Sequence, residues 1–112
     1  MLPLSAQSDV NRKAADQFKL DFNNGNFENI YNSFSPEMQK ARTKEYLFNF
    51  LLKVKTENGM LQSLSLYEYR QSRKKYRGVY DGHFENETLT VTITTSPIGQ
   101  ITGLYIRKKT LL

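Results

Sequence analysis

Apolar residues recur every three or four positions up to Gly59 and every second position after it, and that change of period restricts the chain to helices followed by strands. Ser8 or Asp9 can cap a first helix in which Val10, Ala14, Phe18 and Phe22 form one stripe, and Asn23-Asn24-Gly25 then stops it. Phe27, Ile30, Tyr31 and Phe34 repeat the helical spacing over a shorter stretch. Ser35-Pro36 starts another piece, with Ser35 as cap and Pro36 at the first helical position. Thr43 caps the next helix, where Tyr46, Leu47, Phe50, Leu51 and Val54 make a wide apolar face before Asn58-Gly59 ends it.

In the second half Leu64 and Leu66 alternate with Ser63, Ser65, Tyr67 and Tyr69, and Tyr76, Gly78, Tyr80, Gly82 and Phe84 alternate with Lys75, Arg77, Val79, Asp81 and His83. Leu89, Val91 and Ile93 alternate with Thr88, Thr90, Thr92 and Thr94, and a last strand carries Ile101, Leu104, Tyr105 and Ile106. The connections Gln71-Ser72-Arg73, Glu85-Asn86-Glu87 and Ser96-Pro97-Ile98-Gly99 are short, so consecutive strands pair as an antiparallel meander. Gly78 and Gly82 fall mid-strand, where glycine marks a bulge, a bend or a close approach. The expected fold class is therefore α+β, with N-terminal helices packed on a strongly curved four-stranded antiparallel meander sheet.

A chain of 112 residues, 38% hydrophobic and 24% charged, is long enough to bury one core without disulfides or metal, and residues 9–112 read as one such domain. With no cysteine, thiolate metal sites and cysteine nucleophiles are excluded. The densest apolar run, Tyr46 to Val54, is broken by Asn49 and Lys53 and falls short of the roughly 20 residues a membrane span needs. Residues 1–8, Met-Leu-Pro-Leu-Ser-Ala-Gln-Ser, are apolar and then small, as at the end of a secretory signal with cleavage after Ala6. They are read as a signal-peptide remnant or a disordered tail, and the expected location is periplasmic or extracellular.

Catalytic chemistry finds little to work with. His83 is the single histidine; Asp81 shares its strand face and can orient the imidazole, but a lone histidine near a strand end is more often a hydrogen-bonded surface residue. No convergence of metal-ligating types is visible, and Gly99-Gln100-Ile101-Thr102-Gly103 opens no helix, so it lacks the context of a phosphate cradle. Asp16 and Asp21 lie on the first helix, Asp21 against the Phe18 and Phe22 stripe with no identifiable partner. No catalytic residue, metal site or cofactor is expected.

The net charge of +5 raises the question of a polyanionic partner. Residues 1–59 hold eight basic and seven acidic side chains, against eight and four in residues 60–112, which places the excess in the sheet. Arg70, Arg73, Lys74, Lys75 and Arg77 flank one hairpin tip and are the polyanion candidates; Arg107, Lys108 and Lys109 fall at the other end, near Asp81, Glu85 and Glu87. Two separate basic spots argue against nucleic acid, since charged hairpin tips more often keep strands soluble and unpaired. The tyrosines are more informative. Tyr67 with Tyr69, and Tyr76 with Tyr80, share strand faces, and with Tyr105 they form a candidate interaction face. Aromatics that merely stabilise an exposed sheet face are the competing reading.

The order of motifs resembles a known family. Gly25-Asn26-Phe27-Glu28-Asn29-Ile30-Tyr31, then Phe34-Ser35-Pro36-Glu37-Met38, then Leu51 to Gly59 and Gly99-Gln100-Ile101-Thr102-Gly103-Leu104, together look like uncharacterised secreted bacterial domains with a nuclear transport factor 2-like, cystatin-like fold. The resemblance runs from Asp9 to Arg107. It implies a cone between helices and sheet, and a frequent position ahead of a serine β-lactamase-like or other α/β hydrolase domain. The leading expectation is a non-catalytic exported accessory domain that meets a partner domain, a second copy or a small ligand through its sheet face or cone. The alternatives are a cone-type isomerase, dehydratase or cyclase with a buried acid, and a polyanion-binding module.

Overall fold

The computed structural model describes residues 9–109, so the stretch read as a signal remnant or tail lies outside the described residues. Four helices precede four strands: α1 (Asp9–Asn24), α2 (Phe27–Asn32), α3 (Pro36–Ala41), α4 (Lys44–Asn58), β1 (Leu61–Gln71), β2 (Tyr76–Phe84), β3 (Thr88–Thr95) and β4 (Ile101–Lys108). The helix boundaries follow their caps. Side chains of Asn26, Ser35 and Thr43 accept the amides of Asn29, Met38 and Tyr46, each satisfying a donor that the first turn leaves orphaned. Gly25 and Gly59 leave α1 and α4 at φ +71° and +83°, a region in which a side chain is strained.

The sheet is an open antiparallel meander in the order β1-β2-β3-β4, as the short connections predict. Three register shifts interrupt it, at Gln62 and Tyr67 of β1 and at Thr102 of β4; each adds a residue that bends its strand. Gly78 and Gly82 are close approaches instead. A Cβ on Gly78 would stand 2.5 Å from Asn11 Oδ1, and one on Gly82 2.7 Å from Val91 Cγ2.

All four helices lie on one side of the sheet, and the core fills the space between. Phe18 and Phe22 of α1, Ile30 of α2, Phe34, and Leu47, Leu51 and Val54 of α4 meet Leu61, Leu64, Tyr80, Phe84, Leu89, Val91, Ile93 and Ile101 from the strands. Side chains of this size each contribute about 1.5–3 kcal/mol on burial. The Phe22 ring stands edge-on to Phe84 at 5.7 Å, tying α1 to β2. The buried stripe of α1 runs through Asn11, Ala15, Phe18, Asp21 and Phe22, one position over from the Val10 and Ala14 that its apolar spacing suggests, because two polar residues occupy the inward side. Tyr46 likewise leaves the expected face of α4, 56% exposed.

Polar groups bind the layers at their margins. Asn11 donates from Nδ2 to the carbonyls of Tyr76 and Ile93 (2.9 and 3.0 Å) and accepts from the Tyr80 hydroxyl at 2.6 Å. Asn23 accepts the Leu61 amide and donates to the Leu61 carbonyl, both at 2.8 Å, so the end of α1 pairs with the start of β1 as a strand would.

Candidate functional site

Register decides which side each candidate tyrosine occupies. Paired residues of an antiparallel sheet share a face, so the row Tyr69, Gly78, Ile93, Leu104 and the row Leu66, Tyr80, Val91, Ile106 both lie on the helix-covered side with Ile93 and Val91. Tyr76, opposite Gln71 and Thr95, shares that side. The expected common face of Tyr67, Tyr69, Tyr76, Tyr80 and Tyr105 is therefore divided. The bulge at Tyr67 shifts the parity of β1, turning Tyr67 outward and Tyr69 inward, while Tyr80 is wholly buried and bonded to Asn11.

The outer face keeps Tyr67 and Tyr105. Tyr67 sits at the bulge beside Val79, Val79 pairs with Thr92 and Thr92 with Tyr105, so one row crosses all four strands. Its two ends are exposed, Tyr67 by 71% and Tyr105 by 54%, while Thr92 between them is buried. The threonines Thr88, Thr90 and Thr94 extend the same face, as the alternation in β3 requires.

The basic hairpin tip is present and partly neutralised. Glu68 Oε2 lies 3.0 Å from Arg70 Nε and 3.8 Å from Arg77, leaving Arg73, Lys74 and Lys75 exposed around a turn closed by the Ser72 amide on the Lys75 carbonyl. A shallow depression of about 430 Å³ opens beside it, lined by Arg70, Lys75, Arg77, Thr94 and Thr102. At the far end Lys109 pairs with Asp81 at 3.2 Å, so the two basic spots stay apart as expected.

Neither candidate acid builds a reactive centre with His83. Asp81 is committed to Lys109, and the imidazole is held between the hydroxyls of Ser65 (3.2 Å) and Thr88 (3.4 Å). Asp21 does have partners, contrary to the expectation: Gln17 Nε2 and Asn29 Nδ2 donate to its two oxygens at 3.1 and 2.7 Å. Only 5% exposed, it borders a cavity of about 370 Å³ lined mainly by Val10, Ala14, Phe18, Ile30 and Ile101. Among the described residues no three His, Cys, Asp or Glu side chains converge as a metal site would need, and no helix is long and apolar enough to cross a membrane. On α4, the Lys44 ammonium is held above its ordinary pKa by its hydrogen bond to Glu28, desolvation opposing.

Sequence reasoning missed Asn11 and Asn23 because each is polar at a position whose neighbours are read by hydrophobicity. It also missed a short parallel bridge between Phe34 and Ile101, which pairs residues 67 positions apart and has no local signal.

An α+β domain whose helices cover one side of an open meander, with a tyrosine row on the bare side, defines a small scaffold of the helix-on-sheet class. The chain belongs to the family described as "Protein of unknown function (DUF3887)", whose profile matches residues 15–104. No curated protein and no solved structure matches it significantly.

Proposed function

We propose that this chain is an exported, non-catalytic accessory domain that docks the outer face of its sheet on a neighbouring domain of a longer parent protein. The supporting observation is the row Tyr67–Val79–Thr92–Tyr105, which places two exposed rings on the face left bare by the helices. Rings that combine a large apolar area with a polar tip favour interfaces, and the threonine ladder around them supplies hydrogen-bonding groups without long flexible side chains. The likeness of the motif order to secreted cone-fold domains ahead of hydrolases supports both the export and the choice of partner. The architecture is consistent with such a cone.

Hydrogen exchange on the full-length parent protein and on the isolated 112-residue chain tests this reading. Slower exchange around Tyr67, Val79 and Tyr105 in the parent, reversed by Tyr67→Glu with Tyr105→Glu, is expected. Identical exchange in both settings would refute it.

A second reading rests on Asp21. A carboxylate nine-tenths buried at the margin of a 370 Å³ cavity is the feature a cone-type isomerase or dehydratase would use as its acid. Its two amide partners equally suit a purely structural role. Binding of a small carbonyl compound that is lost in Asp21→Asn would favour the enzyme.

A further inference from the structure

Among the described residues, the outer flank of β4 is paired only at its start. Ile101 donates to the Ser33 carbonyl (2.8 Å) and accepts the Ser35 amide (2.9 Å), so residues 33–35 run beside it as a short parallel strand. At Pro36 the chain turns into α3 and leaves the edge. The bond from the Phe84 amide to the Glu87 carbonyl closes the β2–β3 turn and sets the phase of the ladder: Thr90, Thr92 and Thr94 direct their backbone groups toward Arg107, Tyr105 and Gly103. The N–H and C=O groups of Leu104, Ile106 and Lys108 therefore point away from β3, and among the described residues no backbone bond outside the sheet reaches them.

Beside this open ladder lies a groove of about 350 Å³ between β4 and the helices α3 and α4. Phe34, Met38, Leu47 and Phe50 give it an apolar lining, and Arg42 and Arg107 stand at its rim. Each guanidinium lies over a tyrosine, Arg42 over Tyr46 and Arg107 over Tyr105, both at 5.2 Å, and neither has a carboxylate partner among the described residues. Unspent backbone donors and acceptors, an apolar trough and two unneutralised cations coincide on one edge.

We infer that this flank of β4 receives an extended acidic segment of a partner protein as a fifth strand. Main-chain bonds to Leu104, Ile106 and Lys108 supply the register, alternate apolar side chains enter the groove, and flanking carboxylates meet Arg42 and Arg107. A second copy of this chain fits poorly. Residues 101–109 contain Arg107, Lys108 and Lys109 and no acid, and only Lys109 has a carboxylate partner among the described residues, so the edge of a second copy brings further cations and no carboxylate to Arg42 and Arg107. This surface is separate from the face-on docking proposed above, and either can fail without the other.

The test is a titration of the ¹⁵N-labelled 112-residue chain with a synthetic peptide, Asp-Val-Thr-Val-Thr-Val-Glu, blocked at both ends. Saturable shifts of the Leu104, Ile106 and Lys108 amides below about 1 mM are expected, with slowed exchange of those three. Methylating alternate peptide nitrogens removes the main-chain donors and should weaken binding about tenfold or more. Arg42→Glu with Arg107→Glu, both exposed changes that spare the core, should weaken it about threefold to tenfold and improve binding of a second peptide, Lys-Val-Thr-Val-Thr-Val-Lys, in which lysines replace the two acids. The inference is overturned if the acidic peptide causes no shifts, if the methylated peptide binds equally well, or if the same amides become protected with rising protein concentration alone, which would identify a second copy as the occupant.

Discussion

Replacing Asn23 tests whether the junction between α1 and β1 is held by side-chain mimicry of a strand. Its amide makes two 2.8 Å bonds to the backbone of Leu61, a residue with no exposed surface. Asn23→Ala removes both, at about 1 kcal/mol each, and leaves the N–H and C=O of a buried residue without these partners, so the loss should be about 2–3 kcal/mol. For a chain of this size that lowers Tm by about 10 °C or more. Asn23→Asp is more discriminating, since it keeps the acceptor for the Leu61 amide but turns a carboxylate oxygen toward the Leu61 carbonyl. Repulsion between those buried oxygens is expected to raise the folded-state pKa of the new acid above its unfolded value of about 3.9, against the opposing pull of the Leu61 amide and of the Lys55 ammonium, which donates to the Asn23 carbonyl at 2.9 Å. The sign follows: the penalty is absent below the unfolded pKa, where both states are protonated, and grows as pH rises toward the folded pKa. At pH 7 the Asp variant should therefore be no more stable than the Ala variant, and near pH 3.5 it should be the more stable, because a protonated carboxyl donates to the Leu61 carbonyl. Urea unfolding followed by far-UV circular dichroism at both pH values decides it. An Ala variant within about 0.5 kcal/mol of the parent, or a gap between Asp and Ala that ignores pH, would refute the argument.

Two other substitutions probe the interior. Thr95 is fully buried and its hydroxyl oxygen has no hydrogen-bond partner among the described residues, so Thr95→Val, which keeps the shape and removes that polar atom, should raise stability by about 1 kcal/mol in urea unfolding. Gly78→Ala should lower it by about 1–3 kcal/mol in the same measurement, because the new methyl would stand 2.5 Å from Asn11 Oδ1 and 2.8 Å from the Tyr80 ring.

The architecture was legible because the caps and the apolar period agree locally with the tertiary packing. Ser35, Thr43 and Gly59 each act where a single sequence suggests, and the short turns leave a meander as the simple topology. The face assignment of the tyrosines was not legible, for a physical reason. One extra residue at Tyr67 reverses the parity of everything after it in β1, and neither Leu66 nor Glu68 carries a signal that a bulge lies between them. Apolar scoring of α1 failed in a different way. Asn11 and Asp21 are inward because specific partners satisfy them: Tyr76, Ile93 and Tyr80 for the first, Gln17 and Asn29 for the second. Those partners of Asn11 lie 65 to 82 residues away, beyond the reach of any local pattern.

The two edges of the sheet are treated differently, and that contrast bears on where a partner strand can enter. The outward backbone of β1 is met by α1, since Asn23 binds both groups of Leu61 and Arg12 Nη1 donates to the Leu64 carbonyl at 3.1 Å. The bulges at Gln62 and Tyr67 then break the straight run of groups that a new strand would have to match. On β4 the described residues cover Ile101 alone, and the strand bulges once, at Thr102, before the open run begins. From Gly103 to Lys108 the pairing with β3 is regular, and a regular free edge is the geometry an incoming strand requires. If a strand enters there as inferred above, the cations at the far end of β4 would repel the like-charged edge of a second copy and attract an acidic strand, so one charge pattern would act on both.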